Sequence, residues 1–330
     1  MSHLKTGLLI ALALAAAASG LSCFGDDGPG LPAAPAGYEV IGPGSFRMGE
    51  PGLIDPLDGT RRVTLTRPWI LARYEVTLDD YLFRLNTAWL AGEVDEFQGW
   101  LYDTDSDMPL VDLDLVPLFY DALPDTFTLT AGANPYAPVT GVTWYGAALY
   151  CDWLNAEQGL AASYLRDGYD WPCGPNGNPY AADGWRLPTE AEWEFAVRGW
   201  DGRSYPWGDG DPNCDLCNGS VAPGGGSCVG DIASVGSTSP LGDTIERLAD
   251  MAGNAREWCQ DWYADWANFD PLEDPVDTDS DPFSATEKCL RGGDFSSGPV
   301  TLAAWNRDRM PPELTHRGVG FRVARRWPPN

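Results

Sequence analysis

The sequence predicts a loop-rich α+β fold with short strands and two main helices, and three observations carry that prediction. Gly and Pro number 38 and 28 of 330 residues, so connections must outweigh regular elements. Fifteen Trp within a 44% hydrophobic composition supply large flat side chains, which let a loop-rich chain still bury a core. Helical spacing with capping signals is confined to short segments, between brief alternating runs.

Taken in order, Tyr38-Glu-Val-Ile-Gly-Pro-Gly-Ser-Phe-Arg-Met-Gly49 alternates apolar and polar side chains and stops at glycine, as an opening strand does. Arg62-Val-Thr-Leu-Thr-Arg67 is a second alternating run. Thr77 then stands where it can cap Leu78-Asp-Asp-Tyr-Leu-Phe-Arg-Leu-Asn86, whose apolar residues recur at helical spacing. Residues 92–134 are acidic, contain proline and lack a clean period; they read as an insertion on the domain surface. The first main helix is Val142 to Leu154, with Thr143 as cap and Trp144, Ala147, Ala148, Cys151 and Leu154 on one face. The second is Pro188 to Gly199, where Thr189 and Glu192 form a capping box and Gly199 ends the helix. Beyond Tyr205 turn residues dominate, with short strand candidates such as Gly320-Phe-Arg-Val-Ala-Arg325, and no fixed-period repeat is visible.

The N-terminus reads as an export signal over residues 1–22: Lys5 is its positive end, and Leu8 to Ala18 is an apolar run too short to span a bilayer comfortably. Cys23 then resembles the lipidated cysteine of a bacterial lipoprotein, with residues 23–36 as a flexible Gly/Pro tether; cleavage after the alanine run without lipidation is the rival reading. The expected location is therefore outside the cytoplasm, lipid-anchored to a bacterial membrane or else periplasmic or secreted. Lipidating Cys23 leaves seven of eight cysteines, an odd number where an oxidising compartment favours pairs. Cys214 with Cys228, closing a short loop, and Cys259 with Cys289 are the pairings expected. Cys214-Asp-Leu-Cys217 has neither the second ligand pair zinc needs nor a βαβ setting for redox work. A net charge of −27 excludes the basic footprint of nucleic-acid binding and disfavours adsorption to anionic lipid, leaving the N-terminal lipid as the membrane contact.

Three blocks fall in order along residues 37–327: Gly184-Trp-Arg-Leu-Pro-Thr-Glu-Ala-Glu-Trp-Glu194, Asp250-Met-Ala-Gly-Asn-Ala-Arg-Glu-Trp258 and Arg291-Gly-Gly-Asp-Phe295, closed by Gly318-Val-Gly-Phe-Arg322. The series resembles the formylglycine-generating enzyme family, also called sulfatase-modifying factors, which implies a C-type-lectin-like topology. Active members hold copper with two cysteines after the Arg-Gly-Gly block. Counting from that block puts Ser297 and Leu302 at the two places, Asp294 replaces the usual serine, and no cysteine follows Cys289. Copper(I) prefers thiolates, so no copper is expected. His3 and His316 are too few for an iron triad.

The resemblance also implies a structural calcium site, with Asp250 and Glu257 as side-chain ligands and Gly253 and Ala255 giving carbonyls, a donor set suited to a hard cation. A turn whose Asp and Asn bond local amides is the plain alternative. A second family calcium site would begin at Asn218 and Gly219, but Ser227 stands where its acid should be, so the Cys214–Cys228 bridge is read as replacing that metal. Asp294, Trp305, Arg307 and Arg309 are candidates for an anion-recognising cleft, against internal pairing with acids such as Glu190, Glu192 and Glu194. The resulting expectation is a non-catalytic binding or scaffold module for a protein, peptide or glycan at the cell envelope. Its alternatives are a divergent enzyme using the family cleft without copper, and a true formylglycine-generating oxidase.

Overall fold

The computed structural model describes residues 32–51, 60–264, 272–278 and 286–328. The signal segment 1–22, Cys23 and the tether as far as residue 31 lie outside the described residues. The order of elements is β1 (Tyr38–Ile41), β2 (Gly44–Met48), β3 (Arg61–Leu65), β4 (Trp69–Ala72), α1 (Leu78–Ala91), β5 (Val94–Phe97), β6 (Trp100–Asp103), β7 (Pro109–Asp112), β8 (Leu118–Asp121) and β9 (Thr126–Leu129). There follow α2 (Trp144–Glu157), α3 (Glu190–Arg198), β10 (Arg256–Trp262), β11 (Lys288–Arg291), β12 (Asp308–Met310), β13 (Val319–Gly320) and β14 (Ala324–Arg326).

This is the expected mixed fold of short strands in small sheets, with three α-helices among the described residues rather than two. The helix not counted as a main one, α1, is as long as α2. Its Thr77 hydroxyl accepts from the Asp80 amide, and Gly92, at φ 76°, closes it in the left-handed conformation that glycine adopts without strain. Residues 92–134 also depart from expectation. They form five strands, and Leu101, Leu110, Val111 and Phe127 reach the main core, so the segment is not confined to the surface. Its strands are only four residues long, too short for alternation to register as a period.

Two sheets position the site. In one, β4 lies between β1 and β14 and ties the two ends of residues 33–330 together. In the other, β10 and β11 form the antiparallel centre, with β12 outside β11 and β13 parallel to β10. α2 is buried on every side, not on one face, because Gly146 lets it dock on β7: a Cβ there would stand 2.3 Å from the Leu110 carbonyl oxygen. α3 carries the expected capping box, with Thr189 and Glu192 satisfying each other's backbone amides.

Lys288, on β11, is 3% exposed and donates to the Gln260 carbonyl at 2.9 Å. Burial pushes its amine down to about 7. The faces of Trp144 and Trp262, 4.1 and 3.9 Å from Nζ, oppose that shift by favouring the ammonium.

Candidate functional site

The site is built where three loops clasp one another. The Gly253 amide donates to the Gly292 carbonyl, the Asn254 amide to the Asn218 carbonyl, the Phe295 amide to the Asn254 carbonyl and the Ser220 amide to the Ser297 carbonyl, all at 2.8–3.0 Å. Gly253 makes the clasp possible. It sits at φ 92°, and a Cβ there would lie 2.3 Å from the Asn218 carbonyl oxygen.

Ser297 and Leu302 both lie in this clasp. The Ser297 hydroxyl is turned inward: it accepts from the Asp294 amide at 3.0 Å and donates to Asp294 Oδ1 at 3.2 Å, closing a local turn. Leu302 is fully buried in a small apolar cluster with Cys217 and Ala252, against which Tyr205 and Trp207, stacked on each other, pack. Asp294 does more than serine could at that place. Its Oδ2 accepts from Arg256 Nε at 3.0 Å and Nη2 at 2.6 Å, while Arg256 also pairs with Asp308. Burial alone would raise the Asp294 carboxyl, but Ser296 and Arg256 outweigh it and hold it below the usual range.

The other proposed cleft residues do not converge with Asp294; each has an internal partner. Arg307 makes a two-point contact with Glu190, at 2.6 and 2.8 Å, and its guanidinium lies 4.4 Å from the Tyr263 ring centre. Arg309 stacks 4.6 Å from the same ring and pairs with Glu287 at 3.1 Å. Trp305 lies under Arg198 at 5.6 Å. The pairing extends along α3, whose three glutamates are buried and each matched by arginine. Glu190 meets Arg291 and Arg307, Glu192 meets Arg186 at 2.7 Å through both oxygens, and Glu194 meets Arg198 and Arg291. An ionised carboxylate in this interior persists only because such partners are fixed.

The expected calcium set fits unevenly. Glu257 gives both oxygens to Arg322, at 2.6 and 2.7 Å, and Oε2 also accepts from Trp193 Nε1, so it enters the site as an ion-pair partner. Asp250 takes the Gly236 amide on Oδ2 and faces Glu75, whose Oε2 is buried without a hydrogen bond, as is Asn218 Oδ1. Burial and the neighbouring Asp250 push the Glu75 carboxyl well up, and burial brings Asp250 to about 6. Two adjacent buried carboxylates suit a hard cation. However, among the described residues no group of three or more acidic, Cys or His side chains is arranged to hold a metal.

The expected Cys214–Cys228 bridge is present, with Cα atoms 5.3 Å apart. The Gly219 carbonyl, expected as a donor to a second calcium, instead accepts from the Cys228 amide at 2.8 Å. The Cys259–Cys289 pairing is corrected: both are free and buried, and the Cys289 thiol donates instead to Glu190 Oε2 at 3.4 Å, inside the arginine network. Reduction should therefore open the 214–228 loop to protease, with a loss of about 3 kcal/mol for a loop of this length, whereas EDTA should leave it closed. Peptide mapping of the cleavage sites reads the difference, and opening by EDTA alone would overturn the assignment.

Residues 33–327 match the Sulfatase-modifying factor enzyme 1-like domain. The chain belongs to this sulfatase-modifying factor family. The formylglycine-generating enzyme of Thermomonospora curvata is 28% identical over 284 residues, covering 78% of this chain and 82% of its own. Serine/threonine-protein kinase Pkn1 of Chlamydia trachomatis is 34% identical over 192 residues, 57% of this chain, and the chain spans 24% of that kinase's length. Among solved structures, Treponema denticola variable protein 1 is similar with a TM-score of 0.59 at 21% identity, over 88% of this chain and 94% of its own, a likeness of fold. Against the sulfatase-modifying factor pattern, sequence reasoning missed Arg256 and Glu75. Arg256 stands in the Asp250 block and could have been sought as the partner that the Asp294 substitution requires. Nothing local in the sequence marks Glu75 as facing Asp250.

Proposed function

We propose that this chain is an exported, lipid-anchored member of the sulfatase-modifying factor family that does not catalyse, and that it binds a protein, peptide or glycan partner at the bacterial cell envelope. The observation that carries the reading is the chemistry at the two copper positions. Ser297 is a poor copper(I) ligand whose hydroxyl is held in a turn by Asp294, and Leu302 is an apolar side chain with no exposed surface. Rearranging the loop would not supply a thiolate pair from the segment after Cys289, which has none.

A structural calcium ion belongs to this proposal. Asp250 and Glu75 would supply its carboxylate oxygens, and Glu257 would keep its place on Arg322. The proteolysis experiment above reads this too, since EDTA should then expose the segment 250–257. A second reading, a divergent copper-independent enzyme, is favoured by the part-exposed Arg256 and Asp308 that join the buried Asp294 beside Ser297.

The deciding experiment supplies protein lacking residues 1–23 with copper(I), oxygen and a sulfatase-type cysteine peptide, beside an active family member as control. No conversion of cysteine to formylglycine is expected by mass spectrometry. Conversion would show that another ligand set replaces the cysteine pair and would end the non-catalytic reading.

A further inference from the structure

The β2–β3 hairpin turns one face inward and one outward. Phe46, Met48, Val63 and Leu65 are buried, with Phe46 edge-on to Phe195 of α3. Strand alternation therefore sends Ser45, Arg47, Arg62 and Thr64 to the solvent side. There the register sets Ser45 opposite Thr64 and Arg47 opposite Arg62. Like charges directly opposite on an antiparallel pair repel. This happens in a chain with 48 acidic residues and a net charge of −27, where a carboxylate partner is easily supplied.

Elsewhere even exposed arginines are matched: Arg247 holds Glu39 at 2.8 Å and Arg309 holds Glu287 at 3.1 Å. Arg47 and Arg62 are exposed, and among the described residues neither is ion-paired; Arg47 reaches only the Thr60 hydroxyl, at 3.4 Å. The acids beside β3 do not fill the gap. Asp274 is committed to Thr66, taking its amide at 2.7 Å and its hydroxyl, and Glu273, bridged to Thr64 through the backbone, is exposed and holds no arginine. The Ser45 and Thr64 hydroxyls lie 2.7 Å apart; one donates to the other, which leaves one O–H to donate outward. Two guanidinium forks and a hydroxyl donor on one flat face are a donor set for oxyanions.

We propose that the outer face of β2–β3 is a docking surface for an acidic glycan, whose sulfate, phosphate or carboxylate groups lie on Arg47 and Arg62 and relieve their repulsion. Its rivals fit less well. An anionic membrane plane would come within a Debye length, roughly 8 Å, of the domain's excess acids, whereas a slender polymer reaches the arginines alone. A nucleic acid gains from aromatic rings on which bases stack, and this face has none. An acidic peptide gains from pockets for its alternate side chains, but every apolar side chain of β2 and β3 is turned inward. A glycan is one of the partners proposed above, and its supply at the envelope rests on that reading; the charge of the face does not.

The test is calorimetric titration of the full folded chain with dextran sulfate, beside uncharged dextran and poly-L-glutamate. Dextran sulfate should bind at low ionic strength, with an affinity that falls steeply as salt is added. Uncharged dextran should not bind, poly-L-glutamate should bind more weakly, and phosphatidylglycerol vesicles should not displace dextran sulfate. Arg47→Gln with Arg62→Gln should weaken binding about ten-fold or more, as expected for lost charge-assisted contacts. Arg247→Gln with Arg309→Gln makes the same change in net charge and should have a much smaller effect. The proposal is overturned if dextran sulfate does not bind, or if poly-L-glutamate or the vesicles compete equally well. It is also overturned if the two double variants, both folded by circular dichroism, lose the same affinity. Since the titration requires neither export nor an anchor, its failure would leave the outcome of the formylglycine assay standing.

Discussion

Replacing Arg291 with methionine is expected to cost about 3–5 kcal/mol of folding free energy, enough to unfold much of the population in a protein of ordinary stability. Arg291 is 1% exposed and lies between Glu190 and Glu194, while its Nη1 donates to the Ala304 and Asn306 carbonyls at 2.9 and 2.8 Å. Methionine fills similar space but leaves two carbonyls without a donor and removes the guanidinium shared by two buried carboxylates. Arg307 and Arg198 retain one carboxylate each, which limits the loss without cancelling it. The effect should depend on pH in a defined direction. Burial alone would raise the Glu190 carboxyl, but Arg307 and Arg291 hold it below its ordinary value. Its stabilisation is therefore complete above the unfolded value of about 4.3 and is lost as pH falls through the lower folded value. Urea unfolding followed by Trp fluorescence checks this against Arg309→Met, whose half-exposed pair with Glu287 should contribute no more than about 0.5 kcal/mol. Equal losses in the two variants would mean that the buried network has no special weight.

Gly253→Ala is expected to cost more than about 3 kcal/mol, an unusually large effect for one methyl group. Two causes combine: φ of 92° is unfavourable for alanine, and the new Cβ would lie 2.3 Å from the Asn218 carbonyl oxygen and 3.0 Å from its carbon. Both are backbone atoms, so the loops must separate, and the hydrogen bonds from Gly253 to Gly292 and from Asn254 to Asn218 separate with them. Gly92→Ala is the control. It shares a positive φ, of 76°, but has nothing within 4 Å of its Cβ, and should lose only about 1–2 kcal/mol. If thermal unfolding moved equally in both, dihedral strain alone would account for Gly253 and the clasp would not be tight.

Much of this architecture is written in local signals. The capping box of α3 is readable because its partners are three residues apart, and the 214–228 bridge because its loop is short. The strands at 94–129 escape notice because each is four residues long, and their buried members are not spaced at a period. Arginine pairing fails for another reason. Arg322, at the end of the closing block, meets Glu257, 65 residues away on β10, and only the register of β10 against β13 brings the two together. Cys259 and Cys289 lie on paired strands near an irregularity in the β10–β11 register, yet both are free, and the Cys289 thiol donates to Glu190.

Lysine 288 is one of only two lysines in a chain with 19 arginines, and it is the one lysine among the described residues. With its amine held between two indoles, the folded domain presents no side-chain amine to reagents that acylate, glycate or transamidate lysine. A covalent tie to a neighbouring polymer through an isopeptide bond would have to use this domain's acyl groups, carboxylate or carboxamide, and the positive charge it carries at neutral pH is guanidinium, a group that keeps its charge at any pH a cell meets.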